Sequence, residues 1–206
     1  MVADTIEKEV ERKLDIPLST DEKSLLTYLQ DLIVLRHWQL LELRILHLDI
    51  LYYDTPDLKV YHAGDTIRRI SGFPQEMDPP AGRRYDLKRG PVSDRSEKKH
   101  WAEDEYDLFQ IVEALGCKEE YPLIIPVARA DTKHTQFCID DMRCRVEITL
   151  DEFWIRGGGQ FRELELELEH GPRDTYDLFC DDIKKRFALQ EMAVQKYARV
   201  MRCLQR

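Results

Sequence analysis

The clearest regularity in the chain is an alternation of period two. From Glu163 to Glu169 the odd positions are Glu163, Glu165, Glu167 and Glu169, and the even positions are Leu164, Leu166 and Leu168. Residues i and i+2 of a strand share a face, about 6.6 Å apart, whereas a helix would scatter this pattern around its circumference. The run therefore predicts a strand with carboxylates on one side and leucines on the other. From Arg143 to Asp151, Arg143, Arg145, Glu147, Thr149 and Asp151 alternate with Cys144, Val146, Ile148 and Leu150. Between Val127 and Phe137 one face holds Arg129, Asp131, Lys133 and Thr135; near the start Glu7, Glu9, Glu11 and Lys13 share another. Asp86 with Lys88, and Trp101 with Glu103 and Glu105, mark two shorter faces.

Four stretches read as helices. Ser19–Glu22 offers a cap, followed by Leu25, Leu26, Leu29, Leu32 and Ile33 at helical spacing. Glu105–Leu115 places Leu108, Ile111, Val112 and Leu115 on one face and stops at Gly116. Pro172 opens a third helix that runs to about Phe187, and the fourth runs from about Ala193 to Cys203. Pro74, Pro79, Pro80 and Gly82 mark an irregular excursion, and Gly157–Gly159 a loop. Strand patterns resume on both sides of each, which predicts a single domain over residues 1–206.

Composition sharpens the picture. Forty acidic and 31 basic side chains give a net charge of −9, and 34% of residues are charged, against about 25% in an average soluble domain. The acidic balance argues against a nucleic-acid coat, so no DNA partner is expected. No apolar run reaches signal-peptide or membrane-span length, and the five cysteines, Cys117, Cys138, Cys144, Cys180 and Cys203, contain no C-x-x-C pair. Free thiols in a reducing cytoplasm, without a membrane partner, are the expectation. The charges are not spread evenly. Glu163, Glu165 and Glu167 form a one-sign stripe whose members repel, and other stripes are rich in arginine and lysine. Several such strands, with helices to cover the leucine faces, predict an α+β fold: a closed, eight-stranded antiparallel barrel with a charged interior and helices outside. A charged interior is costly unless ligands compensate it, which implies divalent cations for the acids and a polyanion for the bases.

The motifs then become recognisable. Glu9-Val10-Glu11-Arg12-Lys13 resembles the E-x-E-x-K signature of the CYTH domain, or triphosphate tunnel metalloenzyme, family. Tyr52–Leu58 resembles its Y-F-D-T-P-D-L segment, Ala63–Arg68 its A-G-x-T-L-R strand, and Leu87-Lys88 its T-L-K. Val146–Asp151 resembles V-E-x-x-L-D, Glu163–Leu168 with Gly171 resembles E-x-E-x-E-L…G, and Gln195-Lys196-Tyr197 resembles S-K-Y. The motifs follow the family's order over almost the whole chain.

That resemblance implies an antiparallel tunnel that binds a triphosphate and a divalent metal, Mg²⁺ or Mn²⁺. By motif, Glu9, Glu11, Asp151 and two of Glu163, Glu165 and Glu167 would hold metal. Lys13, Arg68, Lys88, Arg129, Lys133, Arg145 and Lys196 would grip phosphates, with Glu9, Glu11, Lys13, Arg68 and Lys88 as the catalytic set. The family strand usually carries R-x-R. Here Arg68 is followed by Arg69 and Ile70, so the second same-face arginine is missing; what replaces it stays open, with Arg84 as one candidate. The implied activity is hydrolysis of a triphosphate-bearing small molecule, most simply inorganic triphosphate, by a metal-activated water. A class IV-type adenylyl cyclase, a thiamine triphosphatase and a non-catalytic polyphosphate or nucleotide sensor are the competing readings. Oligomeric state stays open, a homodimer included. Asp54–Asp57 reads as a turn rather than a site. The six histidines lack metal-ligand clustering, and Trp38, Trp101 and Trp154 read as packing residues.

Overall fold

The computed structural model describes residues 10–74, 82–90, 96–192 and 194–205. Its strands are β1 (Glu11–Ile16), β2 (Gln39–Asp54), β3 (Thr66–Ser71), β4 (Arg83–Arg89), β5 (Ser96–Ala102), β6 (Ile125–Asp140), β7 (Arg145–Ile155), β8 (Gln160–His170) and a two-residue β9 (Gln190–Glu191). Helices α1 (Glu22–Leu35), α2 (Lys59–Ala63), α3 (Leu108–Leu115), α4 (Arg173–Arg186) and α5 (Lys196–Leu204) lie between and after them. All nine strands join one antiparallel sheet in the order β5-β4-β3-β2-β6-β7-β8-β1-β9. The ladder is open among the described residues, with β5 and β9 at its ends. The sheet nevertheless curls, because side chains from β1 through β8 line one cavity.

The alternation read from the sequence decides what lies on each side. On β8, Leu164 and Leu166 are fully buried on the outer face, as are Val146 and Ile148 on β7 and Leu14 on β1. They pack with Leu25 and Leu29 of α1 and Phe179 and Ile183 of α4 into one core. A second core joins Ile67, Tyr85 and Leu87 of β3 and β4 to Ile111, Val112 and Leu115 of α3. The helices thus cover the sheet's outside and leave its concave face to charged residues.

Helix ends follow local chemistry. The Asp21 carboxylate accepts from the Ser24 amide and starts α1. Asp107 and Gln110 form a capping box at α3, and Gly116 closes it in the left-handed conformation. The Glu105–Leu115 expectation therefore begins three residues early. The α5 expectation likewise begins early, since the helix proper opens at Lys196. Strand β5 ends at Ala102, so Glu103 and Glu105 do not extend the Trp101 face. All five cysteines are free thiols, and no helix among the described residues is long and apolar enough to cross a membrane.

Candidate active site

The cavity has a volume of about 450 Å³. Its two long walls carry opposite charge, and the sheet register builds them. On the acidic wall Glu11 of β1 faces Glu167 of β8, and Glu167 faces Glu147 of β7. One rung along, Lys13 faces Glu165 and Glu165 faces Thr149. On the basic wall Thr66 of β3 faces Lys88 of β4, Arg68 faces Asp86 and Ile70 faces Arg84. Lys99 and Trp101 of β5 continue these rungs opposite Asp86 and Arg84. Between the walls, Leu46, Leu48 and Ile50 of β2 form an apolar floor.

The N-terminus of α5 closes one side, and four hydrogen bonds set its position. The Tyr197 hydroxyl donates to the buried Asp54 carboxylate at 2.6 Å. Asp54 also accepts from the backbone amides of Thr55, Val60 and Tyr61 at 2.7 to 2.9 Å, tying β2 to α2. The Gln195 side chain accepts from the Thr66 hydroxyl at 3.0 Å and donates to the Gly90 carbonyl at 2.8 Å and to the Gly64 carbonyl. The turn read at Asp54–Asp57 is therefore an anchor for the helix that delivers Lys196. Lys196 Nζ lies 2.5 Å from Asp151, 2.8 Å from Glu165 and 3.7 Å from Glu163.

Most charges in the site pair with one another. Lys13 Nζ pairs with Glu165 and lies 3.0 Å from Glu11. Burial works against the Lys13 ammonium, but Glu165, Glu163 and Glu11 outweigh it and raise its pKa. Lys196 is raised further, because Asp151, Glu165 and Glu163 overcome its burial. Glu165 is held well below the usual carboxylate range: burial opposes ionisation, and Lys13, Lys196 and Lys88 overcome it. Asp151 is likewise lowered, by Lys196 and His134 against its burial. Arg68 reaches Asp86 through Nε at 2.8 Å and a terminal nitrogen at 2.7 Å. Arg84 reaches the other Asp86 oxygen at 2.8 Å.

Three groups remain poorly compensated. Lys88 lies 3.1 Å from Glu97, yet burial and then the neighbouring Arg68 leave its pKa lowered. Glu147 is raised by burial, with Glu169 and Glu165 adding repulsion. Glu163 is raised by burial despite Lys196. Its Oε1 is buried without a hydrogen-bond partner, while Oε2 accepts from Arg199 at 3.0 Å.

The structure thus brings Glu11, Lys13, Arg68, Lys88, Asp151, Glu165, Glu167 and Lys196 to one cavity. Glu163 sits beyond the lining, fully buried under Lys196 and Arg199. Glu9 lies outside the described residues. Arg129, Lys133 and Arg145 are not in the cavity, which corrects the expectation for all three. On β6 the inner face is Thr132, His134 and Gln136, because His134 pairs in register with Asp151 and Gln136 with Thr149. Directly opposed residues share a face, so Arg129 and Lys133 point outward, to Asp49 at 2.5 Å and to Glu22 and Glu152 at 2.7 and 3.1 Å. Arg145 leaves the inward face at an irregularity between Arg145 and Val146, and pairs with Asp140 at 3.0 Å.

Other lining residues were not among the predicted site residues. His134 faces the cavity, with Nδ1 2.7 Å from the Asp151 carboxylate. That bond fixes the ring's orientation and leaves Nε2 as its second nitrogen. Arg44, Lys99, Glu147 and Glu169 also line the site. Arg84 does stand beside Ile70, where a second arginine was missing, and its guanidinium lies over the rings of Phe73 and Trp101 at 5.5 and 5.7 Å. Those rings are 4.9 Å apart, so Trp101 belongs to the cavity rather than to a core. Trp38, stacked on Phe179, is the packing residue expected.

The donor set is chemically suited to a hard divalent cation: carboxylates only, on neighbouring strands, one of them, Glu147, with its pKa raised by burial and by the nearby Glu169. No three His, Cys, Asp or Glu side chains among the described residues converge closely enough to enclose a metal as they stand. Lys13 and Lys196 occupy the space between the acids.

The same fold occurs in solved structures. A putative adenylyl cyclase from Hippeastrum, described as revealing a dominant triphosphatase activity, matches at a TM-score of 0.60, with 15% identity over 94% of this chain and 95% of that one. A putative adenylate cyclase from Vibrio parahaemolyticus matches at 0.54, with 15% identity over 96% and 99% of the two chains. One from Bacillus halodurans matches at 0.55, with 14% identity over 92% and 95%. No protein-family model and no curated protein matches the chain. These neighbours share the CYTH-type fold that the sequence motifs implied, but the nine strands of this chain form a ladder that is open among the described residues rather than the closed eight-stranded barrel expected.

Proposed function

We propose that the protein is a divalent-metal-dependent triphosphatase that binds a triphosphate-bearing small molecule in this cavity and releases its terminal phosphate. The observation that carries the reading is the pairing of a wall rich in carboxylates with a wall rich in arginine and lysine across about 450 Å³. Phosphoryl transfer asks mainly for positioning and charge neutralisation, and two walls of opposite sign supply both. On the basic wall Arg68, Arg84, Lys88 and Lys99 bind the nonbridging oxygens. Lys88 is the best placed to gain, since a phosphate would compensate the burial and the Arg68 repulsion that depress it.

On the acidic wall Glu11, Glu147, Glu165 and Glu167 would hold Mg²⁺ or Mn²⁺. The bound ion supplies Lewis acidity and an acidified water. Carboxylates engaged in this way would no longer pair with Lys13 and Lys196, which would be free to bind the phosphates. His134, oriented by Asp151, would take up a proton of the attacking water.

A second reading has an observation of its own. Phe73 and Trp101 line the same cavity, and an aromatic corner beside a basic wall suits an organic triphosphate such as ATP or thiamine triphosphate. The Hippeastrum neighbour's dominant triphosphatase activity favours hydrolysis over cyclisation. The deciding experiment offers tripolyphosphate, ATP and thiamine triphosphate, each with Mg²⁺ or Mn²⁺, and follows phosphate, pyrophosphate and cyclic AMP. Phosphate release is expected. Pyrophosphate with cyclic AMP from ATP would establish a cyclase instead, and tight binding without product a sensor.

A further inference from the structure

Strand β2 is far longer than its neighbour on one side. It pairs with β6 from Gln39 to Asp54, but β3 pairs with it only from Asp49 to Tyr53. Gly72 still runs against His47, where an added Cβ would sit 2.4 Å from the His47 carbonyl oxygen. Beyond that point Gln39–Leu46 has β6 on one side and no strand on the other among the described residues. Proteins usually blunt such an edge with lysines, prolines or a cover. This edge instead carries exposed Leu40, Leu41, Leu43 and Ile45, the last two each 56% exposed. Val34 and Leu35, at the end of the helix that leads into β2, are exposed as well.

The segment reads Leu41-Glu42-Leu43-Arg44-Ile45, and it is self-complementary about Leu43. An antiparallel copy centred there sets Leu43 against the partner subunit's Leu43. Glu42 then faces the partner subunit's Arg44, and Arg44 faces the partner subunit's Glu42. Two cross-strand ion pairs form on one face, and Leu41, Leu43 and Ile45 of both copies cluster on the other. Within one chain Glu42 and Arg44 already reach each other, and both side chains stay more than 40% exposed. They are therefore free to exchange that contact for the cross-strand one.

We infer that two copies of this chain pair through the Gln39–Leu46 edge of β2 about a two-fold axis at Leu43, joining their sheets into one. A two-fold operator asks for a self-complementary patch, and main-chain pairing at an open edge supplies its bonds. Arg44 also lines the cavity, so the partner subunit's Glu42 arrives at the rim of the charged site. The pairing stands or falls independently of the reaction proposed above.

The test is sedimentation equilibrium of the full chain and four variants, with circular dichroism to check each fold. The wild type is expected at twice the 24.4 kDa chain mass. Leu43→Lys, which sets two lysines face to face, is expected to give a monomer. Glu42→Arg and Arg44→Glu singly place like charges opposite each other and should each weaken dimerisation by about tenfold or more. The double swap E42R/R44E should restore it. For the wild type, hydrogen exchange in Gln39–Leu46 should slow as protein concentration rises. A wild type that stays monomeric overturns the proposal, as does a dimer indifferent to Leu43→Lys. Concentration-independent protection of Gln39–Leu46 overturns it too, because the chain itself would then be covering the edge.

Discussion

Lys88 shows how the site trades stability for binding. Its ammonium is buried beside Arg68, and its pKa is lowered because Glu97 only partly compensates. Removing that charge relieves its burial but takes from the buried Glu97 carboxylate its nearest cation. Lys88→Met is therefore expected to move the melting temperature of the ligand-free protein by only a few degrees and to cost about a hundredfold in kcat/KM. Calorimetry and a phosphate-release assay on the same sample check both halves. Glu165 stands in the opposite balance, held ionised by Lys13, Lys196 and Lys88. Glu11→Gln and Glu165→Gln keep the shape of the side chain and remove its charge. Each is expected to abolish metal-dependent turnover while leaving the circular dichroism spectrum unchanged, and full activity in both variants would sink the assignment of the acidic wall.

At the scale of elements, the anchoring of α5 decides whether Lys196 reaches the acids. Asp54 is fully buried and serves three backbone amides and the Tyr197 hydroxyl. Asp54→Ala leaves those donors unpaired and should cost about 3 kcal/mol or more of stability. Asp57→Ala, at a side chain 62% exposed that accepts one bond, from the Thr55 hydroxyl at 2.7 Å, should cost about 1 kcal/mol or less. Denaturant titration separates the two. The sequence made some of these elements easy to read and hid others. β7 and β8 were legible because leucine, isoleucine and valine alternate strictly with charge. β2 was not, because Leu40-Leu41, Ile45-Leu46 and Ile50-Leu51 put apolar residues side by side, with one face lining the cavity and the other at the surface or in a core. On β6 both faces are polar, and the resemblance, carried onto the face richer in charge, selected Arg129 and Lys133 over the inward Thr132, His134 and Gln136. Only pairing register distinguishes such faces, and register is a property of two strands. The five-residue helix α2 has too few turns to display a period. The α5 lysine was found through the resemblance of Gln195-Lys196-Tyr197, and its reach to Asp151 depends on the Asp54 anchor, which read as a turn alone.

For the whole molecule, charge excess and internal pairing predict a pH response. Glu165, Asp151 and Asp86 have lowered pKa values. Each therefore contributes stability above the ordinary carboxylate pKa, and loses it as pH falls below about 4. Lys13 and Lys196 have raised values, so their contribution is complete below about pH 10 and is lost as pH rises through their folded values. Glu147 and Glu163, both raised by burial, act in the opposite sense and gain from mild acid. A melting-temperature profile should accordingly be broad between these limits and fall steeply at the acid end; a steady rise in stability down to pH 3 would contradict the paired network. The same pairing couples the ligands. Acids engaged by a cation release Lys13 and Lys196 to phosphate, so Mg²⁺ should tighten tripolyphosphate binding by about tenfold or more. Titration calorimetry with and without the metal measures this, and equal affinities would contradict it.

The net charge of −9 is then a poor guide to the ligand, since part of it faces inward against a wall of the opposite sign. The central claim is that the two walls act together on one triphosphate, and its most direct test is the initial rate of phosphate release from tripolyphosphate. With Mg²⁺ or Mn²⁺ present the wild type should release phosphate, and chelation or Glu165→Gln should stop it. An undiminished rate in excess chelator, or no release from any triphosphate with either metal, would contradict the account.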